Sequence, residues 1–251
     1  MMKMNADLSH WKFVLLLAVL GMIMYGSISV LAKEKASDIF TDPKVAELVV
    51  AASQGNAKEI DRLVAEGVDV NARGENDITP LVFAVSQKNI EGVARLLHHG
   101  ADPNLFTYKG RYSVMWNFVV QKDPAYLELA LDYGGDVNAL SGGESLIFEA
   151  ITLGRIEHVK ILMDAGADIN FQDVVGATPL HIAGYAAQYE IAYMLLEAGA
   201  DPGVNNNVGK NGLLHAIEQT QRPGSDEIYQ WRQKVIEYLR AAGMEINPKY
   251  P

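Results

Sequence analysis

The chain has 251 residues, nearly half of them apolar, and a formal charge of −10 at pH 7, a composition that supports one globular domain with a buried core. It contains no cysteine, which excludes disulfides, thiolate metal sites and a cysteine nucleophile. Its acidity sets it against phosphate backbones and anionic lipid surfaces, so nucleic acid is not expected as a partner and a basic protein is favoured.

The first element is a run of twenty uncharged residues from Phe13 to Ala32, preceded by Lys3 and Lys12 and followed by Lys33-Glu34-Lys35. As a helix it reaches about 30 Å, the thickness of a bilayer core. It also parses as a signal peptide, with an apolar region from Phe13 to Tyr25 and Val30-Leu31-Ala32 before a cut at Lys33. Residues 1–32 are therefore read as a signal peptide or an N-terminal membrane anchor, and residues 33–42 as a linker. Either reading places the remainder outside the cytoplasm. Removing residues 1–32 takes away Lys3, Lys12 and Asp7, and the remainder carries −11.

From residue 43 a signature recurs: Gly67-Val68-Asp69-Val70-Asn71, then Gly100-Ala101-Asp102-Pro103-Asn104, Gly134-Gly135-Asp136-Val137-Asn138 and Gly166-Ala167-Asp168-Ile169-Asn170. A fifth copy, Gly199-Ala200-Asp201-Pro202-Gly203, has lost its asparagine, and a looser sixth starts at Gly243. The glycines step by 33, 34, 32, 33 and 44 residues, a period that marks a stacked solenoid rather than one folded-over core. Thr-Pro at 79–80 and 178–179 predicts a helix start, because threonine caps free amide groups and proline already holds a helical φ. Thr41-Asp42-Pro43 is expected to start the first helix in the same way. Glu157–Met163 and Glu190–Leu196 place apolar residues on one helical face as second helices. Each following glycine ends its helix in a left-handed conformation, and Asp/Asn-rich residues form the projecting turn.

The last repeat carries an insertion at about 219–229 and then a long helix capped by Ser225. Its expected buried stripe is Ile228, Trp231, Val235, Tyr238, Leu239 and Ala242.

Thr178-Pro179-Leu180-His181-Ile182-Ala183 gives the repeat motif most fully, Thr79-Pro80-Leu81 with Ala84 keeps part of it, and Leu146–Ala150 and Leu213–Ala216 keep fragments. Together these residues resemble the ankyrin repeat. The resemblance covers about residues 43–247 and implies an all-α ankyrin-repeat solenoid over 43–251, with about six helix-turn-helix repeats and short projecting turns or hairpins, preceded by one apolar helix. It also implies a backbone-bonding structural role for His181.

Motifs that imitate chemistry fail in detail. Gly203 to Asn211 has five residues between its glycines where a phosphate loop needs four, and it ends in Lys210-Asn211. In Asp69–Gly74, Arg73 takes a calcium-ligand position and Pro80 stands where a bidentate glutamate belongs. His98, His99 and His158 have no partner at metal-ligand spacing. His215 aligns with His181, and Asn117 and Glu149 fall one position later, a polar series explained by solvation or local hydrogen bonds. No catalytic residue, metal site or cofactor is expected.

Candidate contact residues lie on the turns. Phe106, Tyr108 and Tyr112, interleaved with Lys109 and Arg111, crowd one inter-repeat turn, and Trp116 follows on the next helix; aromatic and arginine residues are the usual anchors of interfaces. Two readings stay open, since these aromatics also suit the packing left by the weak motif Ser113-Val114-Met115-Trp116. Arg73, Gln172, Asp173 and Asn205 to Asn207, Asn206 among them, extend the surface or are ordinary solvated turns.

Residues 113–116, 127–136 and 229–236 are similar to exported bacterial ankyrin proteins, including immunity proteins of type VI secretion phospholipase effectors. That resemblance implies a periplasmic protein, monomeric when unbound, soluble after cleavage or held to the inner membrane through residues 13–32. Its expected partner is a basic lipase that it inhibits. The alternative it implies is a membrane-tethered scaffold for envelope or oxidative-stress defence.

Overall fold

The computed structural model describes residues 36–207, 212–219 and 225–246. The apolar run, residues 208–211 of the phosphate-loop imitation and the centre of the expected insertion lie outside the described residues. The chain divides into two compact units, the first ending at Asp102 and the second starting at Pro103.

In the first unit the expected linker contains a short helix, α1 (Ala36–Ile39), which buries Ala36 and Ile39. The helix α2 (Pro43–Ser53) starts where Asp42 and Pro43 foretell, with Asp42 accepting from the Lys44 amide at 2.8 Å. It is followed by α3 (Ala57–Ala65), α4 (Pro80–Ser86) and α5 (Ile90–His98). Thr79 caps α4 by accepting from Val82 N–H. Asn56 and Asn89 cap the second helices α3 and α5, each accepting a backbone N–H three residues on. First helix packs on first helix and second on second, so that Leu48, Ala52, Ile60, Leu63, Ala84, Val93 and Leu96 are wholly buried. The approach of α5 to α2 is close enough that a Cβ on Gly92 would lie 1.8 Å from the Ala52 carbonyl oxygen, so only glycine fits there.

The second unit opens with two hairpins. In the first, β1 (Phe106–Thr107) pairs antiparallel with β2 (Tyr112–Ser113), followed by α6 (Val114–Val119) and α7 (Ala125–Asp132). In the second, β3 (Leu140–Ser141) pairs with β4 (Glu144–Ser145), followed by α8 (Leu146–Thr152) and α9 (Ile156–Asp164). The next pair is α10 (Pro179–Tyr185) and α11 (Tyr189–Glu197), and the last is α12 (Gly212–Gln219) and α13 (Asp226–Ala241). First helices α6, α8, α10 and α12 pack in succession, which is the expected solenoid order.

The recurring signature has three mechanical parts. The glycines end their helices with φ between 82° and 91°, at 67, 100, 134, 166, 199 and 243, a conformation that costs other residues energy. The aspartate accepts from the amide two residues on, as from Asn71 at 2.8 Å, Asn138 at 2.9 Å and Asn170 at 2.9 Å. The asparagine then bridges to the next copy. Asn71 donates to Gly100 O at 2.9 Å and accepts from Asp102 N–H at 2.8 Å; Asn104 does the same with Gly134 and Asp136 at 2.8 and 2.7 Å. Asn138 bridges to Gly166 and Asp168, and Asn170 accepts from Asp201 N–H at 3.0 Å. Gly203 has no side chain with which to continue the ladder.

The terminal helix α13 differs from expectation by a rotation. Ser225 caps it as foreseen, but the buried residues are Arg232, Val235, Ile236 and Leu239, whereas Ile228 and Ala242 are exposed. Arg232 is drawn inward because its guanidinium donates at 2.6 Å to the Ile217 carbonyl near the end of α12, a charge-assisted bond to an otherwise orphan helix carbonyl. Trp231 and Tyr238 sit at the margin against Tyr193 of α11, the first tilted at 47° and the second edge to face at 82°.

Candidate functional site

Counting six residues on from each signature glycine lands on Arg73, Phe106, Leu140, Gln172 and Asn205, and all five are exposed. Arg73 belongs to the first unit; the other four recur along the second. Their neighbours one position on, Thr107, Ser141, Asp173 and Asn206, are buried or half-buried, which is the strand alternation expected of a projecting edge. Within the second unit two pairs of successive turns are bonded. Gly142 N–H donates to Arg111 O at 2.9 Å, joining the two hairpins, and Asn207 N–H donates to Val175 O at 2.9 Å, joining the last two turns.

The predicted contact residues divide on this edge. Phe106, Arg111 and Gln172 are exposed, and Tyr108 and Tyr112 are half-buried, meeting edge to face at 5.9 Å. Trp116 is corrected: at 7% exposure it is buried in α6, and its indole bonds the Glu149 carboxylate. Asn206 is corrected too, being 6% exposed and donating to the Tyr185 hydroxyl at 3.2 Å; the exposed residue of that turn is Asn205. Asp173 is half-buried because its carboxylate accepts from Val175 N–H at 2.9 Å and Ala177 N–H at 2.7 Å, shaping the loop before Thr178. Sequence reasoning missed Leu140 and Val174, 40% and 84% exposed. The signal for Leu140 was its register with Phe106; Val174 had none.

The tip of the first hairpin is strained. Tyr108 and Lys109 stand at φ 50° and 59° ahead of Gly110 at 80°, a left-handed region that costs non-glycine residues roughly 1–2 kcal/mol each. The second hairpin turns through Gly142 and Gly143 without that cost.

Electrostatically the edge is graded. The first tip carries Lys109 and Arg111, whereas the second hairpin and the next loop bring Glu144, Glu149 and Asp173 together. Burial, then Asp173 and Glu149 nearby, push the Glu144 carboxyl up to about 7. Burial also raises Glu149, opposed by the Trp116 hydrogen bond and by Arg155.

His181 and His99 have structural partners. His181 Nδ1 accepts from Thr178 N–H at 3.2 Å while Thr178 Oγ1 accepts from His181 N–H, a reciprocal cap. His158 is buried, with its pKa lowered by burial and by Arg155. On the second helices of the first unit, Asp61 pairs with Arg95 and His99 at 2.5 and 2.7 Å, and these two partners hold its carboxyl down to about 2. Among the described residues no group of three His, Asp or Glu side chains is placed to hold a metal, and no helix is long and apolar enough to cross a membrane. A cavity of about 610 Å³ lies at the start of the first unit, between Pro43, Ala46, Val50 and Glu59.

Residues 24–107 and 115–206 match the protein-family model described as ankyrin repeats (3 copies). The inactive serine/threonine-protein kinase TEX14 of Mus musculus is 27% identical over 137 residues, 54% of this chain and 9% of that protein. Protein phosphatase 1 regulatory subunit 27 of Homo sapiens is 42% identical over 67 residues, 27% of this chain and 44% of that protein. The chain spans less than half the length of these curated relatives. The crystal structure of the human ASB11 ankyrin repeat domain matches with a TM-score of 0.61 at 25% identity, covering 81% of this chain and 92% of that one.

Proposed function

This chain belongs to the ankyrin-repeat family, and from that premise we propose that it is an exported, non-catalytic immunity protein that binds and occludes an antibacterial type VI secretion lipase in the periplasm. The fold is that of a protein-interaction module, whose stacked repeats present an extended surface rather than a reaction pocket. The observation that carries the binding reading is the exposed edge of the second unit, with Phe106 and Leu140 in one register and Lys109 and Arg111 on a strained tip. Large apolar side chains held out on turns, where small polar residues are usual, mark an interface.

The lipase and the compartment rest on other grounds: the apolar run Phe13–Ala32, the net charge of −11 on residues 33–251, which suits a basic partner, and the resemblance of residues 113–136 and 229–236 to exported bacterial immunity proteins. The test is to combine the full-length protein with an antibacterial type VI secretion lipase and measure binding, lipid hydrolysis and lysis of cells exposed to the toxin. Stoichiometric binding with loss of hydrolysis is expected; an active, unbound lipase in the presence of excess protein sinks the reading.

The twenty-residue length of the uncharged run favours one second reading, a scaffold tethered to the inner membrane and serving envelope or oxidative-stress defence. It requires the run to be retained, and deletion of the gene would then sensitise cells to peroxide with no rival present.

A further inference from the structure

Glu144 is a carboxylate without a cation. The charged groups that act on it are Asp173 from the next loop and Glu149 from α8, both of its own sign, and among the described residues no ion pair involves it. Asp173 is committed to the amides of Val175 and Ala177, and Glu149 is held by Trp116. Leu140 stands exposed on the same hairpin, Val174 is exposed next to Asp173, and Phe106 is exposed on the preceding hairpin, whose Arg111 carbonyl accepts from Gly142 N–H.

We propose that this edge of the second unit receives a segment of the protein partner in which an arginine or lysine is flanked by apolar side chains. The apolar residues cover Phe106, Leu140 and Val174, and the cation rests against Glu144. Charge complementarity fixes the occupant: a half-buried carboxylate facing two others favours an incoming positive charge, and a guanidinium or ammonium meets it with a charge-assisted hydrogen bond. An anionic membrane surface is disfavoured by the three carboxylates. The proposal deepens the binding reading above and rests on it only for the existence of a protein partner.

The test selects displayed random peptides on the full-length protein and then resynthesises the enriched sequences with citrulline in place of arginine, or norleucine in place of lysine. Affinities are measured for the native protein and for Leu140→Asp, Val174→Asp and Glu144→Gln, with helical content and melting followed as a check on folding. Enriched peptides are expected to carry a basic residue between apolar ones. Removing the peptide's charge, or Glu144→Gln, is expected to weaken binding about tenfold, the scale of one charge-assisted hydrogen bond. The two changes together are expected to cost little more than either alone. Val174→Asp, at the most exposed position, is expected to weaken binding without changing the melt, which keeps the test sound if Leu140→Asp misfolds. Absence of enrichment, enrichment of peptides without a cation, full additivity of the two charge changes, or indifference to Val174→Asp overturns the proposal. A lipase that fails to bind overturns the immunity reading and leaves the peptide result standing.

Discussion

The repeat built on Thr178–Ala183 and the two repeats before it begin their first helices differently. At Thr178 the complete motif closes on itself: threonine and His181 cap each other, and Asp173 ties down the loop that leads in. At Ser113 and Ser145 the motif is worn. Ser113 accepts from Met115 N–H at 3.2 Å, Ser145 makes no side-chain cap bond, and a hairpin replaces the tied loop. The side chains that the complete motif uses for its own helix start are here replaced by residues that project: Phe106, Leu140 and a strained Tyr108-Lys109 tip. Two of the three exposed apolar residues of the edge, Phe106 and Leu140, fall on the turns that lack local closure, and the third, Val174, stands on the tied loop.

Breaking the complete motif is expected to have the largest effect. Thr178→Ala removes the acceptor for His181 N–H and is expected to cost about 2 kcal/mol in denaturant unfolding, the upper range for a helix cap. Ser145→Ala, which removes no cap bond, is expected to cost less than Thr178→Ala. Equal losses at both sites would erase the distinction. The asparagine ladder, by contrast, serves both kinds of repeat. Asn104→Ala and Asn138→Ala each remove two exposed bonds to the next copy and are each expected to cost about 1 kcal/mol, seen as a lower unfolding midpoint.

Relieving the hairpin tip has the opposite sign. Lys109→Gly removes left-handed strain but adds freedom to the unfolded chain, and the balance is expected to stabilise by about 0.5 kcal/mol. If the tip is part of the binding edge, the same variant binds its partner more weakly while melting higher.

The acidic end of the edge adds a slope with pH. Glu144 is raised from 4.5 to about 7 in the folded protein, so between those values the folded state keeps a proton that the unfolded state has lost. Stability contributed by this group is therefore full below about 4.5 and falls as pH rises toward 7. Comparing wild type with Glu144→Gln by thermal melts at pH 4.5 and pH 8 is expected to show the variant gaining on wild type at the higher pH.

Much of the fold was legible because its signals are local. Thr-Pro and Asp-Pro marked helix starts, the glycines marked their ends, and a step near 33 residues set the stacking. The Asn caps at 56 and 89 and the bridging role of Asn71, Asn104 and Asn138 were not read, since a turn asparagine looks the same whether it faces water or the next repeat. The stripe of α13 was misplaced because an arginine beside apolar neighbours was assigned to solvent, whereas an orphan carbonyl at Ile217 draws it inside. At the candidate site the register that exposes Arg73, Phe106 and Gln172 also exposes Leu140, but aromatic content outweighed it. Sequence leaves Trp116 open between contact and packing and reads Asn206 as a turn residue, because burial at a helix start or turn depends on which neighbour closes over it.

The most direct test of the central claim is a hydrogen-exchange footprint of the full-length protein with and without an antibacterial type VI secretion lipase, its proposed partner. Protection confined to residues 106–113, 140–145 and 171–177, with the second helices α7, α9 and α11 unchanged, is the expected result. Protection of those second helices with the projecting turns still exchanging freely, or no footprint at saturating lipase, would contradict it.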